Sequence, residues 1–73
     1  MKLLSQLEIG EKCTVTAVNG DGAIRRRLFD MGITPGAEIY LRKKAPFGDP
    51  LEISLRGYEL TLRKAEAAHV EVK

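Results

Sequence analysis

The residues of this 73-residue chain that could take part in chemistry are few and scattered. Cys13 is its one cysteine and His69 its one histidine, and neither has a second soft donor close to it in the sequence. Four-coordinate zinc, or iron held by two histidines and a carboxylate, needs more nitrogen and sulfur donors than these. We therefore expect no intrinsic metal site and no cofactor, with Cys13 buried as a small hydrophobe and His69 on the surface or at a strand edge.

Sequence motifs of catalysis are also missing. The chain has neither a G-x-x-x-x-G-K-[ST] phosphate loop nor a G-x-G-x-x-G dinucleotide loop, and the two close glycines Gly20 and Gly22 indicate a turn. No Ser/His/Asp or Cys/His set occurs in a recognisable nucleophile motif. A domain this small leaves little room for a catalytic cleft, so a binding module, with no catalytic residues, is expected rather than an enzyme.

Three consecutive arginines, Arg25, Arg26 and Arg27, form the most concentrated charge in the chain. On a helix their side chains spread over roughly 200°, so they do not form one patch. Three interpretations stay open at this point: a solvated helix face, a contact with an anion or acidic partner, or an arginine that acts in trans on a GTPase.

The segment at residues 45–50, Ala-Pro-Phe-Gly-Asp-Pro, combines two prolines and a glycine with one aromatic residue. Such a composition stiffens a loop. Phe47 is expected either to fold back and cap one end of the core or to project toward a partner. The apolar positions expected to face the core do not include Phe29, Tyr40 and Tyr58. Some aromatic surface should therefore be accessible.

Alternating apolar and polar residues predict five short β-strands, the first of which turns Cys13, Val15 and Ala17 inward. The predicted strands cover residues 12–18, 37–42, 51–56, 59–63 and 69–72, and only Gly57 and Tyr58 separate the third from the fourth. Between the first two strands, the spacing of Ile24, Leu28 and Met31 predicts one short helix that begins after Asp21 and ends at Gly32. A single helical turn is expected at residues 64–68.

Five short antiparallel strands are too few for a two-layer sandwich, and an open sheet would leave its edges unprotected. The predicted fold is therefore mainly β: a small five-stranded SH3-like antiparallel barrel, closed by the helix between strands 1 and 2. Residues 1–73 are expected to form one domain. Counting periods alone does not separate this barrel from an OB-fold.

The composition indicates the class of protein and its cellular compartment. Hydrophobic residues make up 44% of the chain and charged residues 30%, which is typical of a globular domain, and the net charge of +2 does not indicate a polyanionic partner such as nucleic acid. One cysteine cannot form an internal disulfide, which favours a reducing compartment. No apolar stretch is long enough for a signal peptide or a membrane span. A cytoplasmic location without direct membrane insertion is expected.

Several strings in the sequence together resemble the ferrous-iron transport protein A (FeoA) family. They are Leu-Ser-Gln-Leu from Leu4 with Gly10, Arg-Leu-Phe-Asp-Met-Gly-Ile-Thr-Pro-Gly from Arg27, Ala-Pro-Phe-Gly-Asp-Pro from Ala45, and Arg-Gly-Tyr-Glu-Leu from Arg56. The resemblance runs over residues 4–72, and the second and third strings in this order are specific.

The resemblance implies a small cytosolic SH3-like protein that works with FeoB, the membrane ferrous-iron transporter that carries a cytosolic G domain. It implies an accessory role in iron transport, either in assembly of the transporter or in its activity. From the residues and this resemblance together, we expect a protein–protein contact through Arg25, Arg26 and Phe29, with Phe47 as a further contact.

Two other readings stay open. A small barrel could bind RNA through the two basic stretches Arg25–Arg27 and Arg42–Lys44, in which case binding would weaken steeply with salt. An exposed strand edge or aromatic patch could also pair two copies of the chain weakly.

Overall fold

The computed structural model describes residues 2–73 as one antiparallel sheet of six strands with two short α-helices. The strands are β1 (Lys2–Leu3), β2 (Lys12–Val18), β3 (Glu38–Lys44), β4 (Leu51–Leu55), β5 (Tyr58–Leu62) and β6 (Val70–Val72). Their order in the sheet is β1-β6-β2-β3-β4-β5. All five predicted strands are present as β2 to β6, and the mainly β, small-barrel class is confirmed. The sixth strand is the two-residue β1, which is too short for an alternation to reveal.

The inward side chains of this sheet meet in a single hydrophobic core. It contains seventeen buried residues and no buried polar or charged side chain among those described. The core residues are Leu4, Leu7, Cys13, Val15, Val18, Leu28, Ile33, Ala37, Ile39, Leu41, Leu51, Ile53, Leu55, Leu62, Ala67, Val70 and Val72. The inward positions predicted on β3, β4 and β6 are therefore correct, and Leu60 on β5 packs half-buried against the same core.

Strand β2 departs from simple alternation near its end. Val15 pairs with Val72, and Ala17 pairs with the neighbouring residue Glu71. Thr16 therefore has no partner on β6 and is the extra residue of a β-bulge. After Val15, the bulge shifts the core-facing positions of β2 by one residue. The prediction that Ala17 faces the core is therefore wrong: Ala17 is half-buried, and Val18 is buried in its place.

Helix α1 (Gly22–Asp30) lies between β2 and β3, as predicted. It begins after Asp21, whose side-chain Oδ1 accepts a hydrogen bond of 2.9 Å from the Ile24 N–H. This bond satisfies one of the free amides of the first turn. The helix ends before Gly32, whose φ of +92° lies in the region that favours glycine.

The hairpin between β4 and β5 turns at Arg56 and Gly57, which have φ values of 49° and 89°. Positive φ at both central residues is the geometry of the tight two-residue turn that matches the twist of antiparallel strands. The turn thus lies one residue earlier than the sequence pattern indicated, because Tyr58 belongs to β5 and pairs with Leu55.

The second helix, α2 (Lys64–Ala67), connects β5 to β6 and confirms the predicted helical turn. The Glu66 carboxylate folds back to accept a 2.9 Å hydrogen bond from the Arg63 N–H. Among residues 2–73, neither helix has the length or the hydropathy needed to cross a bilayer.

Candidate protein-docking surface

Helix α1 is attached to the core on one side only. Leu28 is its one fully buried side chain, while Ile24 and Met31 flank it half-buried. Because successive helical residues are 100° apart, Arg25, Arg26 and Phe29 lie on the side turned away from the core, and all three are exposed. The structure therefore brings three of the four predicted contact residues onto one exposed helix side, which we call the helix surface.

Arg25 and Phe29 form a pair on this helix surface. The Arg25 guanidinium carbon lies 5.6 Å from the centroid of the Phe29 ring, within the range of a cation–π contact between residues one turn apart. Phe29 keeps 39% of its area exposed. The pair presents an apolar ring beside a positive charge that needs little rearrangement to meet a carboxylate.

Beside this pair, α1 carries a shallow depression that is open to solvent. Its lining residues are Gly22, Ala23, Arg26, Arg27, Asp30 and Met31. The two small residues of the first turn create the hollow, and the arginines border it. Such a hollow can accept a small apolar group of a partner, with charge recognition supplied by Arg26.

The third arginine differs from the other two. Arg27 Nε lies 2.8 Å from a carboxylate oxygen of Glu66, so this guanidinium ties α1 to α2. The Glu66 side chain is only 18% exposed, while that of Arg27 remains 68% exposed. Arg27 is thus a structural contact between the two helices, whereas Arg25 and Arg26 make no ion pair with any residue of the described chain.

Phe47 stands outside the core altogether. Its side chain is 98% exposed, and its backbone has a φ of 68° and a ψ of 11° inside the tight turn Pro46–Gly48. The interpretation that Phe47 folds back to cap the barrel is therefore wrong. At this exposure the ring touches essentially nothing of its own chain, so it does not contact Arg25, Arg26 or Phe29.

The loop that carries Phe47 is nevertheless linked to the helices through α2. Asp49 Oδ1 accepts a 3.0 Å hydrogen bond from the Lys64 N–H at the start of α2. Two residues further along, Glu66 holds Arg27 of α1. The Phe47 loop and α1 therefore contact the same four-residue helix.

The second basic stretch is carried by β3. Its residues Arg42–Lys44 end β3, where Lys44 pairs with Leu51, and Arg42 forms an ion pair with Glu59 of β5. The carboxyl end of α1 is near the other end of β4, because a Cβ on Gly32 would lie 3.3 Å from Leu55. Leu51 and Leu55 are four residue steps apart along the strand, about 13 Å. Lys44 therefore lies toward the opposite end of β4 from Gly32, whereas Arg42 reaches Glu59, which pairs with Ser54 beside Leu55.

Exposed apolar residues also occur elsewhere. Ile9 is 61% exposed in a turn whose Gly10 N–H donates to the Leu41 carbonyl at 2.8 Å, and no periodic pattern in the sequence pointed to it. Tyr58 is exposed at the β4–β5 hairpin, and Tyr40 is partly exposed on β3, as predicted.

Of the two residues with potential metal or nucleophilic chemistry, Cys13 lies on β2 and His69 lies near the start of α1, since a Cβ on Gly20 would be 3.2 Å from both His69 Nδ1 and Ile24 Cγ2. Cys13 is buried on β2, and desolvation, together with the negative charge of Glu11, raises the pKa of its thiol. A raised pKa disfavours the thiolate and so makes the thiol less reactive. His69 is half-buried just before β6. Within residues 2–73, no group of three or more His, Cys, Asp or Glu side chains is placed to hold a metal ion.

Comparison with known proteins gives a consistent family assignment. The sequence profile of the FeoA domain matches residues 2–73. A curated relative from Porphyromonas gingivalis, an Fe(2+) transport protein A/Fe(2+) transporter FeoB fusion protein, is 34% identical over 70 residues, which is 96% of this chain. The chain spans only 8% of the length of that fusion protein.

Solved structures match the fold closely. A FeoA-like protein from Clostridium acetobutylicum is 45% identical, with a TM-score of 0.90 over 97% of this chain and 83% of its own. The zinc complex of Stenotrophomonas maltophilia FeoA, described as a prokaryotic SH3 domain protein, is 31% identical, with a TM-score of 0.86 over 100% of this chain and 91% of its own. These similarities support the SH3-like class over the OB-fold.

Proposed function

The chain belongs to the FeoA domain family, and from this membership we propose that it is an accessory protein of ferrous-iron uptake that docks on the cytosolic part of the transporter FeoB. The observation that carries the proposal is the Porphyromonas gingivalis relative, in which a segment like this chain is fused to the transporter. Fusion holds two modules at a high effective concentration, which is useful when the two must meet.

We propose that the helix surface supplies the docking contact, with Arg25, Arg26 and Phe29 as its main residues and Phe47 as a further contact. The helix surface combines an exposed aromatic ring with two arginines that have no ion-pair partner within residues 2–73. This is the composition of interface hot spots, which are rich in aromatic residues and arginine. The fitting partner surface carries an apolar patch bordered by carboxylates. Recognition of this kind requires no bond to be made or broken, so the proposed role is docking and not catalysis.

Affinity measurements with point variants test the docking surface. The probe is full-length FeoB of the same organism in detergent or nanodiscs, titrated with the complete chain. Phe29→Ala and Arg25→Glu are each expected to weaken binding by about 30-fold or more, the effect of losing a hot-spot residue. Both positions are exposed, so the variants should keep the circular dichroism spectrum of the folded chain.

Lys12→Glu is the matched control for charge reversal, because Lys12 is exposed on β2 and lies outside the proposed surface. It should change the dissociation constant by less than about threefold, as expected for a peripheral charge. Equal binding by folded Phe29→Ala and the unaltered chain would remove the helix surface from the proposal. No binding by the unaltered chain would refute docking itself.

Modulation of the transporter is tested by its turnover. GTP hydrolysis and ferrous-iron uptake by FeoB are measured with and without saturating amounts of the chain. An arginine acting in trans would raise the hydrolysis rate by orders of magnitude, and Arg25→Glu or Arg26→Glu would abolish the increase. If hydrolysis does not change while uptake does, the chain acts on assembly or on the transport step.

A further inference from the structure

We infer that Phe47 is a preformed anchor whose ring inserts into an apolar socket on the docking partner. This inference rests on the proposed function and adds the chemistry of one contact. It comes from three independent features of residues 45–50: the backbone conformation of Phe47, the exposure of its ring, and the rigidity of the loop.

The backbone conformation of Phe47 is costly for its residue type. Its φ of 68° and ψ of 11° lie in the left-handed region, which glycine and asparagine adopt readily and a bulky residue does not. Among the described residues, Arg56 also has a positive φ without being glycine, and in both places a turn imposes the geometry: the hairpin at Arg56, and at Phe47 the turn closed by the hydrogen bond from the Gly48 N–H to the Ala45 carbonyl. Strained residues of this kind persist mainly at functional positions, and the strain at Phe47 is therefore a reason to look for function.

The ring contributes nothing to the packing of the chain. Phe47 is 98% exposed, more than Ile9, Tyr58 or Phe29, while the seventeen-residue core is complete without it. A single exposed apolar side chain is ordinary by itself. Phe47 combines full exposure with left-handed strain, so in the isolated chain both features are unfavourable. A partner that covers the ring would offset both.

The loop is held in this conformation before any partner arrives. The Ala45 N–H donates to the Pro50 carbonyl at 3.0 Å, and the Gly48 N–H donates to the Ala45 carbonyl at 2.8 Å. Asp49 is fixed by its hydrogen bond from Lys64. The two prolines restrict φ further. A rigid loop loses little conformational entropy on binding, which is how preorganised anchors gain affinity.

The charges around the loop favour a protein socket over a lipid surface. Lys43, Lys44 and Lys64 are accompanied by Asp49 and Glu52, and Lys43 is directly opposite Glu52 across the β3–β4 ladder. A rim with both signs of charge around an apolar centre is typical of protein interfaces. Binding to an anionic bilayer relies instead on a predominantly cationic surface.

Paired measurements of stability and affinity test the anchor. Phe47→Asn removes the ring and places a residue that tolerates the left-handed conformation. Its thermal midpoint should therefore rise by about 2–8 °C, while its affinity for full-length FeoB should fall about 30-fold or more. Phe47→Leu keeps an apolar group and should lose less affinity. Tyr58→Asn removes an exposed aromatic at the β4–β5 hairpin and is the matched control, with affinity unchanged within about threefold.

The outcomes separate the anchor from the proposed function. Undiminished binding by Phe47→Asn, with normal binding by the unaltered chain, would overturn the anchor and leave docking intact. A fall in the thermal midpoint would also overturn it, because the ring would then be part of the packed structure. If the unaltered chain does not bind, the proposed function and the anchor are both refuted.

A second variant tests the lipid alternative. The chain has no tryptophan, so Phe47→Trp introduces a single reporter of its surroundings. With anionic vesicles that contain no protein, its emission maximum should stay where it is in buffer. A blue shift in that sample would show insertion into lipid and would contradict a protein socket.

Discussion

Truncation of Leu28 tests how the helix surface is held on the barrel. Leu28 is completely buried and is the one α1 residue fully inside the core, so Leu28→Ala leaves a cavity that no other helix residue can fill. Comparable leucine truncations in a packed core cost about 2.7–5 kcal/mol. A domain of this length has a free energy of unfolding of about 4–11 kcal/mol, so the variant should lose a quarter of it or more.

Urea unfolding followed by far-ultraviolet circular dichroism measures this loss. The midpoint should fall with little change in the m-value, because the surface exposed on unfolding is nearly the same. The midpoint temperature of thermal unfolding should fall by at least about 10 °C. Leu28→Met is the matched control and should cost less than about 1.5 kcal/mol, since it conserves volume. A loss below about 1 kcal/mol for Leu28→Ala would refute the reasoning that this side chain anchors α1.

Three further predictions concern stability and reactivity. Arg56→Asn should raise the free energy of unfolding by about 0.5–1 kcal/mol, measured in urea, because asparagine before Gly57 suits the two-residue turn; a decrease would show that Arg56 makes a contact that outweighs the strain. Cys13, whose pKa is raised by burial, should react with a thiol reagent at least about 100-fold more slowly in the native chain than in denaturant, and equal rates would contradict its burial. The Glu8 N–H and the Lys2 side chain lower the pKa of Glu11, so the stability that its carboxylate contributes is present above its ordinary pKa of 4.5 and lost as pH falls below it. Glu11→Gln should therefore flatten the acid side of a stability–pH profile, and an unchanged profile would contradict this assignment.

The strands and α1 could be predicted because their signals are local and repeated. Residues such as Ile39, Leu41, Ile53 and Leu55 alternate with polar neighbours, and each proved to face the core. The exceptions come from tertiary pairing. The bulge at Thr16 is defined by the partner strand β6, so the burial of Val18 instead of Ala17 could not be read from β2 alone.

The sequence identified the residues of the candidate site better than the contacts between them. Arg25 and Phe29 are one helical turn apart, so their contact follows from spacing alone. The pairing of Arg27 with Glu66 joins residues 39 positions apart and depends on how the helices pack. Proline and glycine indicated a stiff loop around Phe47, but whether its ring caps the core or projects from it was decided by packing.

Site-specific photo-crosslinking in cells that express FeoB tests the central claim most directly. A photoreactive phenylalanine analogue at position 29 lies on the helix surface, and the same analogue at position 12 lies on the exposed side of β2. Docking through the helix surface predicts a covalent product with the transporter from position 29 and little or none from position 12. Crosslinking from position 12 alone, or from neither position in cells where the chain supports iron uptake, would contradict it.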